Sequence, residues 1–156
     1  MSVETGLNQD FLDVLEAFAR AGVEFLVVGA HALAAHGIPR ATGDLDVWVR
    51  PTEENAARVM AALAAFGAPL AMHGVVTADF AQPGTVYQMG LPPRRIDVLT
   101  QISGVDFEPA WATRTSVSIA GHPVGFLGRD ALLVNKRAAG REKDLLDVKM
   151  LESKKR

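Results

Sequence analysis

The sequence predicts an α+β fold, a two-layer arrangement of a mixed β-sheet with helices packed mainly on one face. Three observations carry this. Strand-length apolar runs alternate with helical stretches as far as Phe66. The later strands come in locally paired runs separated by tight turns. The C-terminal part reads as two helices around a glycine.

The elements follow in order. Phe11, Val14, Leu15 and Phe18 recur at helical spacing, which predicts an amphipathic helix over 8–20 ended by Gly22. Residues 23–28 are an apolar run of strand length. Gly29 interrupts it, and 30–36 reads as a short alanine-rich helix ended by Gly37. Pro39, Thr42 and Gly43 mark a loop before a strand over 44–49. Pro51 and an N-cap at Thr52 open a helix over 53–66, closed by Gly67 and Pro69. Residues 71–83 carry no decisive pattern. Strands over 85–89 and 95–99 flank a turn at 90–93, and 107–111 reads as a short helix. A hairpin over 116–120 and 123–126 turns at Gly121-His122. Helices over 129–139 and 143–152 hinge at Gly140.

The chain has 156 residues, 49% of them hydrophobic, enough for one core and too few for two. The expectation is a single domain over 1–156 with a helical C-terminal segment over 129–153. No apolar run approaches the ~20 residues of a membrane span. The polar start MSVETGLNQD lacks a signal pattern, so a cytoplasmic location is expected. With no cysteine, disulfides, thiolate zinc sites and a cysteine nucleophile are excluded. The net charge of −2 argues against a generic nucleic-acid coat. From Lys136 onward there are eight basic and four acidic residues, net +4, leaving eight basic and 14 acidic residues before it, net −6. That basic segment, which ends in Lys154-Lys155-Arg156, is either a solvated helix with a tail or a surface that meets an anion.

The chemistry concentrates on the strand over 44–49. Side chains alternate across a strand, so Leu45, Val47 and Val49 enter a core while Asp44 and Asp46 lie side by side on the other face. Two such carboxylates raise each other's pKa unless a cation sits between them. In Arg95-Ile96-Asp97-Val98-Leu99, Asp97 likewise faces away from Ile96 and Val98. If the two strands are neighbours, three carboxylates converge, and hard divalent ions take oxygen ligands. Taken alone, Asp97 reads better as a surface acid paired with Arg94 or Arg95. Gly29, between a strand and a helix, allows a phosphate to approach the backbone, although many such turns carry glycine for geometry alone.

In this order, Val27-Val28-Gly29-Ala30, Asp44-Leu45-Asp46-Val47 and Ile96-Asp97-Val98 resemble the nucleotidyltransferase superfamily of DNA polymerase β and the minimal nucleotidyltransferases. The wider phrases VVGAHALAAHGIPRATGDLDVWV, RIDVLT and NKRAAGREKDLLDV are similar to small bacterial nucleotidyltransferases related to AbiEii-type abortive-infection toxins. The resemblance implies a nucleotidyltransferase fold. It implies Asp44, Asp46 and Asp97 as catalytic residues and as ligands of Mg²⁺ (or Mn²⁺), with Asp97 also activating the acceptor hydroxyl. Gly29 and Ala30 would carry the triphosphate of an NTP substrate. Ala30 departs from the family pattern, which has glycine or serine there.

Arg40 is either a phosphate partner or an exposed loop arginine. Lys136, Arg141 and Lys143 are further nucleotide-binding candidates, since related toxins use a late-helix lysine; the sequence does not choose between Lys136 and Lys143. Asp144 is expected to pair with one of these cations. His31, His36, His73 and His122 read as structural or pocket-lining, and Trp48 as a core aromatic rather than a base-stacking one. The expected activity is transfer of an NMP to a hydroxyl of RNA, protein or a small molecule, within a toxin–antitoxin or abortive-infection type system. Expected partners are a second copy of the chain or an antitoxin-like protein. The alternative is a catalytically weak or inactive nucleotide-binding or regulatory module, for which Ala30 is the motive.

Overall fold

The structure, a computed structural model, describes residues 7–154. The polar start up to residue 6, together with Lys155 and Arg156 of the basic tail, lies outside the described residues. The chain order is α1 (Gln9–Arg20), β1 (Phe25–Val28), α2 (Gly29–Ala35), β2 (Asp44–Val49), α3 (Glu53–Phe66), α4 (Thr77–Phe80), β3 (Val86–Met89), β4 (Arg95–Leu99), α5 (Phe107–Ala112), β5 (Thr115–Ile119), β6 (His122–Phe126), α6 (Arg129–Ala139) and α7 (Glu142–Ser153).

The local chemistry of the ends explains most boundaries. Asn8 caps α1 by accepting from Phe11 N at 3.0 Å, and Thr52 caps α3 by accepting from Asn55 N at 3.3 Å. Strand β1 starts two residues later than the apolar run suggests. Val23 N still donates to Phe18 O at 3.0 Å, so Val23 belongs to the turn that closes α1. The unassigned stretch 71–83 holds α4, where Asp79 accepts from Val76 N at 2.9 Å.

The six strands form one sheet in the order β3-β4-β2-β1-β6-β5. β1 is antiparallel to β2 and parallel to β6; β2 and β4 are parallel; β3–β4 and β5–β6 are hairpins. The sheet is therefore mixed and the class α+β, as expected. The distribution of helices differs from the expectation, because they cover both faces. Phe25, Val27, Leu45, Val47, Val49, Ile96 and Val98 pack against α1, α3 and α4. Leu26, Val28 and Trp48 point the other way and pack against α2, α5, α6 and α7. The physical reason is that the second face is also apolar along β1 and at Trp48, and exposing it would cost about 1.5–3 kcal/mol per large side chain. The stretch of that face carrying Asp44 and Asp46 on β2, with Arg95 and Asp97 beside them on β4, is polar.

Asn55 ties α3 to the sheet. It is 1% exposed, accepts from Glu24 N at 2.8 Å, and donates to Glu24 O and Arg50 O at 3.0 Å each. Asn55→Ala leaves Glu24 N without its partner and removes one of the two donors to each of Glu24 O and Arg50 O, so chemical denaturation should show a loss of about 1–3 kcal/mol.

Candidate active site

Strands β2 and β4 bring the three aspartates together. In their parallel register Asp46 lies opposite Asp97, and Asp44 lies opposite Arg95. Alternation then puts all four side chains on one face of the sheet. Asp97 is 6% exposed, while Asp44 and Asp46 are half-buried. Thr42 fixes the start of β2: its hydroxyl accepts from Asp44 N at 3.1 Å.

The electrostatics are those of crowded acids. The Asp46 carboxyl is pushed up to about 7, first by burial, then by the charge of Asp97 and a hydrogen bond with it, then by the charge of Asp44. Arg95 pulls the other way without cancelling this. Arg95 donates from Nε and Nη2 to the two oxygens of Asp97 at 3.0 Å each, and its Nε is 3.9 Å from Asp44 Oδ1. Of the two arginines considered as partners for Asp97, it is Arg95; Arg94 reaches Asp10 at 3.2 Å instead.

Gly29 sits against this cluster at the end of β1. Its φ is +70°, and a Cβ there would run into Asp46 Oδ2 and stand 3.2 Å from its Cγ. Glycine is required for the conformation and for the close approach of the carboxylate.

A basic wall faces the acids. Lys136 on α6 is 3.4 Å from Asp144 and 3.2 Å from Asp147, and both carboxylates are essentially buried. Arg141 donates to Asp144 at 2.6 Å, and Arg40 pairs with Asp147. Burial pushes the Asp144 carboxyl up, but Arg141 and Lys136 outweigh it and hold it below the usual carboxylate range. Asp144 thus serves two cations rather than one. Asp144, Asp147, Val148 and Leu151 share the buried face of α7. Acids at two positions of an otherwise apolar helical face were the available signal for Asp147, which sequence reasoning had counted only as charge.

One cleft of about 260 Å³ is lined by Gly29, Ala30, Arg40, Thr42, Asp44, Asp46, Lys136, Arg141, Lys143 and Asp147, among others. It gathers every site residue expected from the sequence except Asp97, which joins it through Asp46. The volume is below the ~300–1,000 Å³ of a pocket that encloses a whole ligand. A groove of about 540 Å³ elsewhere lies between the α1 and α3 regions; its charged lining residues are Asp13, Glu16 and Arg20, of which Arg20 and Glu16 pair with each other, and none of the site residues expected from the sequence lines it.

The remaining candidates take structural places. His36 Nε2 meets Leu127 O at 2.8 Å, and His73 Nδ1 meets the Tyr87 hydroxyl at 2.7 Å. His31 packs edge-on to Phe11, with burial lowering its pKa against a hydrogen bond to the Asp44 backbone. Trp48 is buried edge-to-face against Phe107, a core aromatic.

The donor set fits a divalent cation. All three groups offer hard oxygens, Asp44 Oδ1 is buried without a hydrogen-bond partner, and Asp46 is raised by burial and by its acidic neighbours. Among the described residues no three His, Asp or Glu side chains stand as a finished metal cage.

The two late lysines should separate experimentally. Lys136→Met deprives two buried carboxylates of a shared cation, with Arg141 and Arg40 left to compensate. It should cost about 2–3 kcal/mol of stability in a denaturant titration. Lys143→Met, at an exposed position, should cost less than about 0.5 kcal/mol.

No family model matches the sequence, and no curated protein does. Among solved structures, the chain is similar to a candidate nucleotidyltransferase from Thermotoga maritima, with a TM-score of 0.54 and 13% identity, covering 94% of this chain and 92% of that one. That likeness bears on the fold, which is a nucleotidyltransferase fold. An antigenic nucleotidyltransferase-like protein from Paracoccidioides brasiliensis shows 16% identity over 93% of this chain and 77% of its own, at a TM-score of 0.49, too low to bear on the fold. Among the described residues no helix is long and apolar enough to cross a membrane.

Proposed function

We propose that this chain is an Mg²⁺-dependent nucleotidyltransferase that moves an NMP from an NTP to a hydroxyl of RNA, protein or a small molecule. The observation that carries the reading is the convergence of Asp44, Asp46 and Asp97 from adjacent parallel strands at a cleft walled by Gly29, Lys136 and Arg141. Chemistry of this kind needs positioning and charge neutralisation rather than a covalent intermediate, and the cleft is lined by both signs of charge.

Asp44, Asp46 and Asp97 would hold the divalent ions, which when bound clamp the attacking and leaving oxygens of a phosphoryl displacement. The triphosphate lies along the Gly29–Ala30 backbone, with Lys136, Arg141 and Arg40 matching its charge. Ala30 keeps the backbone N–H of the family pattern and loses only a side-chain hydroxyl. Asp97 takes the proton of the acceptor hydroxyl. A bond forms from that oxygen to the α-phosphorus, the α–β bridge breaks, and pyrophosphate leaves. The motif phrases support a place among the AbiEii-related group, where an antitoxin-like partner would restrain the activity.

A second reading, a nucleotide-binding module with little turnover, is favoured by one observation: Arg95 already engages both oxygens of Asp97. The test is incubation with labelled NTPs, Mg²⁺ and cell extract. Wild type should label an acceptor and Asp46→Asn should not. Metal-independent nucleotide binding with blank lanes for both proteins would support the second reading.

A further inference from the structure

Arg95 is a cation that the carboxylate cluster already holds. It lies on β4 two residues before Asp97, so both side chains emerge on the same face. The guanidinium fork engages both oxygens of Asp97 at 3.0 Å and stands 3.9 Å from Asp44 Oδ1. A bidentate pair of this kind is the strongest form of carboxylate contact a side chain makes. Any ion that takes Asp97 as a ligand has to share or displace that contact. The head group is about one-third exposed, so it can turn toward solvent without disturbing β4, whose Ile96 and Val98 stay in the core.

We propose that Arg95 is a positioning residue that weakens the cluster's hold on a free divalent ion, so that the ion is taken up together with the triphosphate. The proposal rests on reading Asp44, Asp46 and Asp97 as the metal ligands. When all three carboxylates are ionised and Arg95 is in place, the cluster presents a charge of −2 to an entering divalent ion, which the ion neutralises with nothing left over. Without Arg95 the ion meets −3. An NTP arriving with its ion brings negative charge that can draw the guanidinium away from Asp97 and also meets the basic wall of Lys136, Arg141 and Arg40. One residue thus biases the site toward the metal–nucleotide complex over the bare metal.

The experiment is Mn²⁺ binding to the full chain without nucleotide, read from the free-Mn²⁺ signal in electron paramagnetic resonance. Arg95→Gln should bind Mn²⁺ roughly ten- to a hundredfold more tightly than wild type. Arg95→Lys, a cation without the fork, should fall between them. A merely structural role for Arg95 would leave the affinity unchanged or weaken it, and either result in Arg95→Gln overturns the proposal. If Arg95→Gln does not fold, as judged by circular dichroism, Arg95→Lys decides by the same sign. Adding Asp46→Asn distinguishes the two levels of failure. If Asp46→Asn abolishes Mn²⁺ binding but Arg95→Gln leaves it unchanged, only the role of Arg95 is lost. If Asp46→Asn has no effect, the carboxylates are not the metal site and both readings fall.

Discussion

Asp46→Asn should abolish nucleotidyl transfer while making the metal-free protein more stable. The loss of activity should be at least about 10³-fold, the scale of removing one preorganised charge-stabilising group. The gain in stability follows from the same crowding that suits the site to a metal. The Asp46 carboxyl titrates near 7 in the fold, against 3.8 for an ordinary aspartate. Between those values the folded state keeps a proton that the unfolded chain has released. The contribution of Asp46 to wild-type stability should therefore fall as pH rises from about 4 to about 7 and stay low above it. Asparagine removes the charge and keeps the shape. At pH 8 without metal, Asp46→Asn should be about 1–3 kcal/mol more stable, several degrees in Tm, and the difference should vanish near pH 4. Saturating Mg²⁺ with an NTP should narrow or reverse it. Thermal melts at pH 4 and pH 8 check the sign; a wild type more stable than Asp46→Asn at pH 8 without metal would contradict the electrostatics. Stability given up at a functional site is a common trade in proteins.

Gly29→Ala should damage both fold and activity. A side chain at φ +70° costs about 1–2 kcal/mol on its own, and the new Cβ must also displace the carboxylate of Asp46. We expect a total of about 2–4 kcal/mol and a fall in transfer rate of at least about 100-fold, since an ångström of misplacement at reacting groups costs that much. Gly22→Ala is the control. Its φ is +72°, and a Cβ there meets nothing within 4 Å. It should pay the backbone penalty and keep its activity. Equal activity losses in the two variants would mean that Gly29 matters only as a turn.

Much of this arrangement was legible in the sequence because it depends on local pattern. The helical period of Phe11, Val14, Leu15 and Phe18, the alternation over 44–49, and the placement of Gly29 need only neighbouring residues. The two aspartate strands could be recognised separately, and their pairing was a stated condition that the parallel register of β2 and β4 meets. What was not legible is long-range. Nothing near Leu26 or Trp48 says that α6 and α7 return to cover that face. Asp144 was expected to meet one of the late cations, but Asp147 read as charge alone until the fold buries both against Lys136, Arg141 and Arg40. Arg95 was one of two arginines that could meet Asp97, and the choice is set by strand alternation together with Asp10 drawing Arg94 away. The short α4 lacked a pattern because four residues are barely one helical turn.

The most direct test of the central claim is a crystal structure of the chain with Mg²⁺ and a non-hydrolysable NTP. The account predicts metal density shared by Asp44, Asp46 and Asp97, the triphosphate along Gly29 and Ala30, Lys136 within reach of a phosphate oxygen, and Arg95 turned away from Asp97. A nucleotide bound elsewhere, or one bound in the cleft with Arg95 still on Asp97 and no metal at the aspartates, would contradict it.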